Sequence, residues 1–318
     1  MAGDASIRIG ISACLLGDEV RYDGGHKRDA FLTTVLAPFV EFVKVCPEVE
    51  IGMGTPREPI HLARRDGIIR LVAVASGVDY TERMDAYAVR RADALARERL
   101  AGYVLKKDSP SCGMTRVKVH GGKGPPARNG VGLFARALLA RFPHLPIEEE
   151  GRLNDPRLRE NFIERVFAYR RLRDLFDSTW TPGGLVKFHT AHKLVLLSHS
   201  TAAYERLGRL VARAKSMELD TLRDQYSASF MEALAVPATR ARHVNVLQHM
   251  AGYFKKTLGA ASREELRATI EDYRQGLVPL IVPLTLLRHH VRQQDIEYLA
   301  GQVYLAPHPK ELMLRNHV

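Results

Sequence analysis

The sequence predicts two domains of different class: an α/β N-terminal domain, Rossmann-like with a mainly parallel sheet, followed by an all-α C-terminal domain. In the first half, short apolar strand patterns alternate with helical patterns, which is typical of a parallel sheet with crossover helices. From residue 185 onward the strand patterns stop, and the hydrophobic periodicity is helical almost throughout. A chain of 318 residues is long enough for two such domains, each with its own core.

The individual elements are predicted from apolar runs and amphipathic segments. Short apolar runs predict strands at residues 7–13, 42–45, 68–75, 102–105 and 116–120. Helical periodicity between them predicts helices at residues 29–39, 79–100 and 130–139. In the second half it predicts helices at residues 186–214, 221–233, 239–258, 262–276 and 282–300. This order favours a doubly wound sheet in the first domain and a helix bundle in the second.

The domain boundary is predicted from a helix start and a later break. Asn154, Asp155 and Pro156 open a helix, because an Asx side chain caps the first amides and a proline in the first turn loses no hydrogen bond. A Thr-Pro-Gly-Gly run at residues 181–184 then interrupts the helical pattern. We therefore predict a first domain at residues 1–165, a linker helix and turn at 166–184, and an all-helical domain at 185–318.

The charge of the chain favours polyanionic partners. Forty-seven Lys and Arg residues against 36 Asp and Glu give a net charge of +11, and the sequence pI is about 9.7. Residues 185–318 contribute +6 of this excess, from 18 basic and 12 acidic residues, and the rest of the chain contributes +5. Neutralising phosphates releases condensed counterions, so both domains could contact one nucleic acid. Charge alone also fits a basic protein that binds only counterions.

The N-terminus and the hydropathy of the chain predict a cytoplasmic protein without a membrane segment. The first residues enter a strand pattern directly, without a basic and then apolar signal region. No apolar run approaches the roughly 20 residues needed to span a bilayer.

Three cysteines are the strongest local signal. Cys14, Cys46 and Cys112 each follow a predicted strand and enter a Gly- or Pro-rich loop. Because strand ends on one edge of an open α/β sheet converge on a crevice, three thiolates could share one inorganic centre. Three unrelated buried thiols, or a zinc ion with a histidine ligand, remain alternatives, although no Cys-x-x-Cys pair supports zinc. A structural disulfide is disfavoured by the odd count.

Three thiolates have a specific meaning in iron–sulfur chemistry. Clusters are usually held by four cysteines. A four-iron cluster with three protein ligands keeps one iron open, much as a catalytic zinc keeps an open position. An open iron can bind a substrate atom.

The flanking motifs resemble a known family. Ser-Ala-Cys-Leu-Leu-Gly at residues 12–17, Val-Cys-Pro-Glu at 45–48 with Gly-Met-Gly-Thr-Pro-Arg at 52–57, and Lys-Asp-Ser-Pro-Ser-Cys-Gly at 107–113 together resemble the thiouracil desulfurase family. The segments at residues 188–193, 249–256 and 304–313 resemble the helical domain that is often fused to it. The two-domain arrangement is similar to that of the tRNA 4-thiouridine desulfurases.

The resemblance implies a reaction. Residues 1–165 would be an iron–sulfur desulfurase domain, with a 4Fe-4S cluster on the three cysteines whose open iron takes the thiocarbonyl sulfur. Water would replace sulfur at C4 of 4-thiouridine in tRNA, giving uridine and hydrogen sulfide without electron transfer. The helical domain would bind the tRNA. Free thiouracil or a thionucleoside as substrate, or a non-enzymatic iron–sulfur RNA sensor, are the alternatives, and the sequence leaves the oligomeric state open.

Glu48 and Ser109 match the catalytic positions of the family. Water attack needs a base, and the departing sulfur or the ring nitrogen needs an acid. Both residues also have a structural alternative, because a serine before proline often caps a turn and Glu48 could pair with Arg57 or Lys107. The fallback acid and base candidates are Asp108 and Glu50.

Substrate and RNA contacts are predicted from loops and exposed cations. Residues 20–28 contain glycines and an aromatic side chain that could close over a pyrimidine, although an ordinary loop fits equally. The predicted substrate-binding residues are Tyr22, Asp23, Gly24, Arg57, Lys107 and Ser111. The basic stretch at residues 121–128 and the cations of the helical domain are interpreted as phosphate contacts. The predicted RNA-binding residues are Arg28, Lys123, Arg128, Lys193, Lys255, Lys256, Arg288, Arg292, Lys310 and Arg315.

Overall fold

The computed structural model describes residues 6–121 and 124–317. It divides the chain into two compact units, Met1–Asp155 and Pro156–Val318. The sequence placed the end of the first domain at residue 165 and a linker at 166–184. The division falls earlier because Pro156–Asp177 is one continuous helix, and its Ala168 and Leu172 side chains belong to the core of the second unit.

The strands of the first unit form two four-stranded sheets. The strands are β1 (Ile7–Ser12), β2 (Val40–Val45), β3 (Ile60–Arg65), β4 (Ile68–Ala73), β5 (Gly102–Leu105), β6 (Val117–His120), β7 (Ala127–Gly130) and β8 (Ile147–Glu149). The first sheet has the order β2-β1-β5-β8, and all its pairs are parallel. This confirms the predicted α/β class with a parallel sheet.

The second sheet was not predicted as a separate layer. Its order is β4-β3-β6-β7, in which β3 pairs antiparallel with β4 and parallel with β6, and β6 pairs antiparallel with β7. Residues 68–75 and 116–120 were predicted as strands of a single sheet, but they lie in this mixed one. Strands β3 and β7 escaped prediction because their sequences, Ile-His-Leu-Ala-Arg-Arg and Ala-Arg-Asn-Gly, are too polar to give an apolar run.

The helices of the first unit are α1 (Pro47–Glu50), α2 (Thr81–Ala96) and α3 (Leu133–Arg141). The helix predicted at residues 29–39 is instead a π-helical segment, Phe31–Leu36, followed by a 3-10 turn, Ala37–Phe39. Proline at position 38 lies in that turn, where its missing N–H prevents continuation of regular helical bonding. The parallel sheet is the centre of the core, because Ile9, Ile11 and Tyr103 are fully buried.

The second unit is helical, as predicted. Its helices are α4 (Pro156–Asp177), α5 (Pro182–His199), α6 (Thr201–Ala212), α7 (Leu219–Ala235), α8 (Arg240–Gly252), α9 (Ala260–Gln275), α10 (Ile281–Gln293) and α11 (Glu297–Ala300). The predicted helix at 186–214 is broken at Ser200, whose hydroxyl accepts from the Ala203 amide and caps α6. Among the helices that the structure describes, none is long and apolar enough to cross a membrane.

Candidate active site

The three cysteines lie at neighbouring strand ends of the parallel sheet. Cys14 follows β1 in a 3-10 turn, Cys46 follows β2 and precedes α1, and Cys112 lies in the loop after β5. Strands β2, β1 and β5 are adjacent, so their carboxyl ends open on one crevice. All three cysteines line a single cavity of about 420 Å³. The structure therefore brings together the side chains that the sequence predicted as cluster ligands.

The environment of these thiols favours the protonated form when no metal is bound. Burial, with a smaller contribution from the neighbouring Cys46, raises the pKa of Cys14 to about 11. Burial also raises the pKa of Cys46 and that of Cys112, although a hydrogen bond from the Ser12 hydroxyl opposes the shift at Cys112. Metal ions displace such protons, because thiolate is the ligand form. A soft set of three thiols lining one cavity fits an iron–sulfur group.

A single metal ion fits less directly. Within residues 6–121 and 124–317, no group of three or more His, Cys, Asp or Glu side chains is arranged to hold one ion. The three thiols share a cavity rather than one coordination sphere.

The loop that carries Cys112 is fixed by Ser109. The Ser109 hydroxyl oxygen accepts hydrogen bonds from the Ser111 amide at 3.2 Å and from the Cys112 amide at 3.0 Å. A Cβ on Gly132 would lie 2.5 Å from the Ser111 carbonyl, so glycine permits α3 to approach this loop closely. Ser109 thus caps the turn, the structural alternative, and it also lines the cavity with its hydroxyl proton still available to donate.

Glu48 is held by two partners. One carboxylate oxygen accepts from Arg57 Nε at 2.9 Å and from Nη2 at 2.5 Å, and the other accepts from the Ser111 hydroxyl at 2.9 Å. Arg57 also donates to the carbonyls of Val20 and Gly54, at 2.9 and 2.8 Å. The Glu48–Arg57 pair that the sequence left open is therefore present. It does not remove Glu48 from the site, because both side chains line the cavity.

The predicted substrate-binding residues divide into two groups. Tyr22, Arg57 and Lys107 line the cavity. Ser111 is fully buried and reaches the site only through Glu48. Asp23 and Gly24 are absent from the described lining.

Asp23 instead stabilises its own loop. Its carboxylate accepts from the Gly25 amide at 3.1 Å and from Arg21, and these bonds lower its pKa. Gly24 adopts a left-handed conformation with φ of 76°, which few other residues tolerate. Of the fallback candidates, Asp108 lines the cavity, whereas Glu50 accepts from the Tyr87 hydroxyl at 2.7 Å and is not part of the described lining.

Sequence reasoning missed the cations on the cavity wall. Arg21, Lys27 and Lys106 all line it. Lys106 Nζ lies 2.5 Å from Glu150, whose other oxygen accepts from the Lys107 amide at 2.7 Å. Lys106 opposes the burial effect on the pKa of Cys14. Its position beside the third cysteine motif was a usable signal, but Glu150 had none, since it is 44 residues away in sequence.

The predicted RNA-binding residues differ in their exposure to solvent. Lys123 lies outside the described residues. Exposed positions are occupied by Arg28, Arg128, Lys255, Lys256, Arg292 and Lys310. Lys193 and Arg288 are half-buried.

Arg315 does not lie at the surface, although the sequence analysis predicts it as an RNA contact. It is 3% exposed, pairs with Glu160 at 3.0 Å and Glu164 at 3.7 Å, and donates to the Tyr304 carbonyl. A guanidinium buried against two carboxylates cannot contact a phosphate at the surface, so the assignment of Arg315 was wrong.

Comparison with family models assigns most of the first unit to a known family. The model of the family described as 2-thiouracil desulfurase matches residues 9–150, a segment that contains the three cysteines, Glu48 and Ser109. This part of the chain belongs to the 2-thiouracil desulfurase family. Residues 193–309 match a second family, described as protein of unknown function (DUF1722). The match to the desulfurase family therefore lies in the unit that contains the cavity.

Each of these relatives matches about half of this chain or less. The uncharacterized protein YbgA of Escherichia coli strain K12 is 34% identical over 165 residues, 52% of this chain and 98% of YbgA. The uncharacterized protein YbbK of Bacillus subtilis strain 168 is 33% identical over 108 residues, 32% of this chain and 71% of YbbK. A solved structure described as the 4Fe-4S-dependent thiouracil desulfidase TudS is 30% identical, covering 47% of this chain and 95% of its own, with a TM-score of 0.38.

Proposed function

We propose that this protein is an iron–sulfur-dependent desulfurase that converts 4-thiouridine in tRNA to uridine and releases hydrogen sulfide. One observation carries the proposal: three cysteines, Glu48 and Ser109 line one cavity in a unit that belongs to the 2-thiouracil desulfurase family. The net charge of +11 supports a polyanionic substrate.

Cys14, Cys46 and Cys112 would hold the cofactor. A bound 4Fe-4S cluster with three cysteine ligands and an open iron would supply a soft Lewis acid for the thiocarbonyl sulfur. Three thiolates add negative charge to a largely buried cavity wall, which is costly without compensation. Lys106, Arg21 and Lys27 line the same cavity and provide it.

Glu48 is suited to activate the attacking water. Arg57 and Ser111 fix its carboxylate from both sides, so the oxygen that receives the proton keeps a constant position. Ser109 is suited to donate a proton, since its oxygen already accepts from two amides and its O–H remains available as a donor. The balance is thiocarbonyl plus water giving carbonyl plus hydrogen sulfide, with no electron gained or lost.

Free thiouracil or a thionucleoside is the second candidate substrate. The family description names 2-thiouracil, and the cavity is lined by residues of the first unit alone, so nothing in it requires an attached RNA. A cavity of about 420 Å³ accommodates a pyrimidine ring. The tRNA proposal therefore depends on surfaces outside the cavity.

The deciding experiment compares substrates on anaerobically reconstituted protein. We expect sulfide release from tRNA containing 4-thiouridine at a higher kcat/KM than from the nucleoside or from free thiouracil, with uridine detected by mass spectrometry of the digested RNA. Cys112→Ala serves as the control without an intact ligand set. Turnover of free thiouracil with none of tRNA would transfer the proposal to the second candidate. Binding of tRNA without any change in its nucleosides would instead identify a non-enzymatic sensor.

A further inference from the structure

The outer face of the second sheet is unusually basic. The described strands β3, β4, β6 and β7 contain five Arg or Lys residues and no Asp or Glu. Arg64 lies on the opposite face at the end of β3, and the rest of that face is apolar, because Leu62, Leu71, Val117 and Val119 are buried. We call the polar side of this sheet the basic sheet face. Its residues are His61, Arg65, Arg70, Lys118, His120 and Arg128.

Strand register places these side chains together. Ala63 pairs with Arg70 on one neighbour and with His120 on the other, and Lys118 pairs with Arg128. Since side chains alternate along a strand and paired residues share a side, the whole set lies on one face. Arg65 and Lys118 are exposed.

This arrangement is unfavourable in the protein by itself. Lys118 and Arg128 lie directly opposite each other on antiparallel strands, where like charges repel. The centroids of the His61 and His120 rings are 4.6 Å apart, and burial lowers the pKa of His61, with further lowering by His120 and Arg65. Two carboxylates from outside the strands approach the face, with Asp79 at 3.8 Å from Arg70 and Asp108 at 3.3 Å from Arg128. A bound polyanion would relieve the repulsion.

The basic sheet face is connected to the cavity. Ile60, the first residue of β3, lines the cavity, and so does Asp108, the partner of Arg128. The strand that begins at the cavity rim carries His61 and Arg65 of the face within its next five residues. A polyanion lying on the sheet would therefore present its adjoining nucleotide close to the cysteines.

We propose that the basic sheet face of the first unit binds the RNA phosphate backbone and delivers the thiolated nucleotide to the cavity. The partner is RNA because cations dominate the surface, with Ile68 as an exposed apolar side chain beside Arg65, which suits a regular phosphate chain rather than a protein interface. The inference rests on the proposed function, since it takes tRNA as the substrate. It also extends RNA binding to Arg65, Arg70 and Lys118, which the sequence did not assign.

The test neutralises two exposed cations of the face and two elsewhere. The variant is Arg65→Gln with Lys118→Gln in the full chain, and the matched control is Arg90→Gln with Arg97→Gln on and just after α2, which removes equal charge from the same unit. Binding of tRNA with and without 4-thiouridine is measured by fluorescence anisotropy from about 50 to 200 mM salt.

We expect the sheet variant to raise Kd about tenfold or more near physiological salt and to reduce the slope of log K against log salt by about 2. Both tRNAs should be affected equally, because backbone contacts do not read the sulfur. The KM for tRNA should rise while kcat and turnover of free thiouracil stay unchanged. Melting of Lys118→Gln without RNA should occur at the same or a higher temperature, because a like-charge pair is removed.

The outcomes separate this inference from the proposed function. Equal Kd and salt slope for the sheet variant and the control would overturn the inference even if desulfuration of tRNA is observed. Absence of tRNA binding by the wild-type protein would overturn it as well. If no substrate is desulfurated, the proposed function fails, yet a loss of tRNA affinity confined to the sheet variant would still support the surface.

Discussion

Arg57 holds the Glu48 carboxylate with two hydrogen bonds, at 2.9 and 2.5 Å, in a pair whose side chains are only 5% and 14% exposed. Both bonds end on one oxygen of Glu48, and the Ser111 hydroxyl binds the other, so the three bonds together fix the position and the orientation of the carboxylate. Because Arg57 also binds the Val20 carbonyl, it ties Glu48 to the loop that follows the first cysteine. The pair therefore fixes the carboxylate that lines the cavity and also contributes to the fold.

Arg57→Gln should separate these two effects. We expect kcat to fall about 100-fold, because a small misplacement of a positioned base is costly. We also expect a loss of about 3 kcal/mol in unfolding free energy, since a mostly buried carboxylate loses its partner. Steady-state kinetics and urea denaturation measure the two quantities. Arg64→Gln is the control, because Arg64 is exposed and its guanidinium donates to the Gly67 carbonyl. Unchanged kcat in Arg57→Gln would rule out positioning by Arg57.

Ser109→Ala tests whether the hydroxyl does more than cap the turn. Loss of the two amide hydrogen bonds should destabilise the loop by about 1 kcal/mol and lower the iron content of the purified protein. If Ser109 is also the proton donor, kcat per bound cluster should fall about 100-fold or more. Iron and sulfide analysis alongside single-turnover kinetics distinguishes the two. A variant with reduced iron but a normal rate per cluster would leave Ser109 with a structural role only.

Ser111→Ala is the matched comparison for Ser109. It removes the hydrogen bond to Glu48 but keeps the amides that Ser109 accepts. We expect full iron content with a lower kcat, the reverse of a purely structural loop defect. Equal iron loss in both variants would show that neither hydroxyl acts separately from the loop.

Arg315 should behave as a buried structural residue. Replacement by Ala leaves Glu160 and Glu164 without their common cation, so we expect a loss of about 3–5 kcal/mol in unfolding free energy. Lys310→Ala, at an exposed neighbouring position, should leave stability unchanged. Chemical denaturation of both variants provides the comparison. A stable Arg315→Ala protein that has lost only tRNA affinity would restore the phosphate-contact assignment.

The parallel sheet and the convergence of the cysteines were predictable because their signals are local. Apolar runs end at Cys14 and Cys46, and general α/β topology then places strand ends together. The mixed second sheet was not predictable in the same way. Its β7 strand, Ala127–Gly130, has no hydrophobic alternation, and pairing with β6 rather than sequence pattern defines it.

Long-range partners explain the remaining differences. Glu150 is buried beside Lys106, and Glu160 beside Arg315, across separations of 44 and 155 residues. A cation that is solvated and one that is buried with carboxylates look alike in sequence, which is why Arg315 was assigned to the surface. The sequence likewise does not show whether a polar residue in a candidate substrate loop faces the cavity. The Asp23 carboxylate, for example, accepts a hydrogen bond from the Gly25 amide within its own turn.

The helical unit should lose stability as the pH falls below about 6.5. Burial lowers the pKa of His243 to about 3 and that of His192 to about 4. The unfolded chain, with histidine pKa values near 6.5, then binds more protons than the folded one in acid, so stability rises with pH across this interval. Each histidine could contribute up to about 3 kcal/mol by pH 4.

Glu160 changes the stability of the helical unit with pH in the opposite direction. Burial raises its pKa to about 7, so the folded state binds the extra proton and this residue alone loses stability as pH rises from about 4.5 to 7. The only tryptophan, Trp180, packs against Phe176 in this unit and reports its unfolding by fluorescence. We expect the wild-type protein to weaken from pH 6.5 to 4, and Glu160→Gln to weaken more steeply because the opposing group is removed. Identical pH profiles for both proteins would contradict the raised pKa of Glu160, and a flat wild-type profile would contradict the neutral buried histidines.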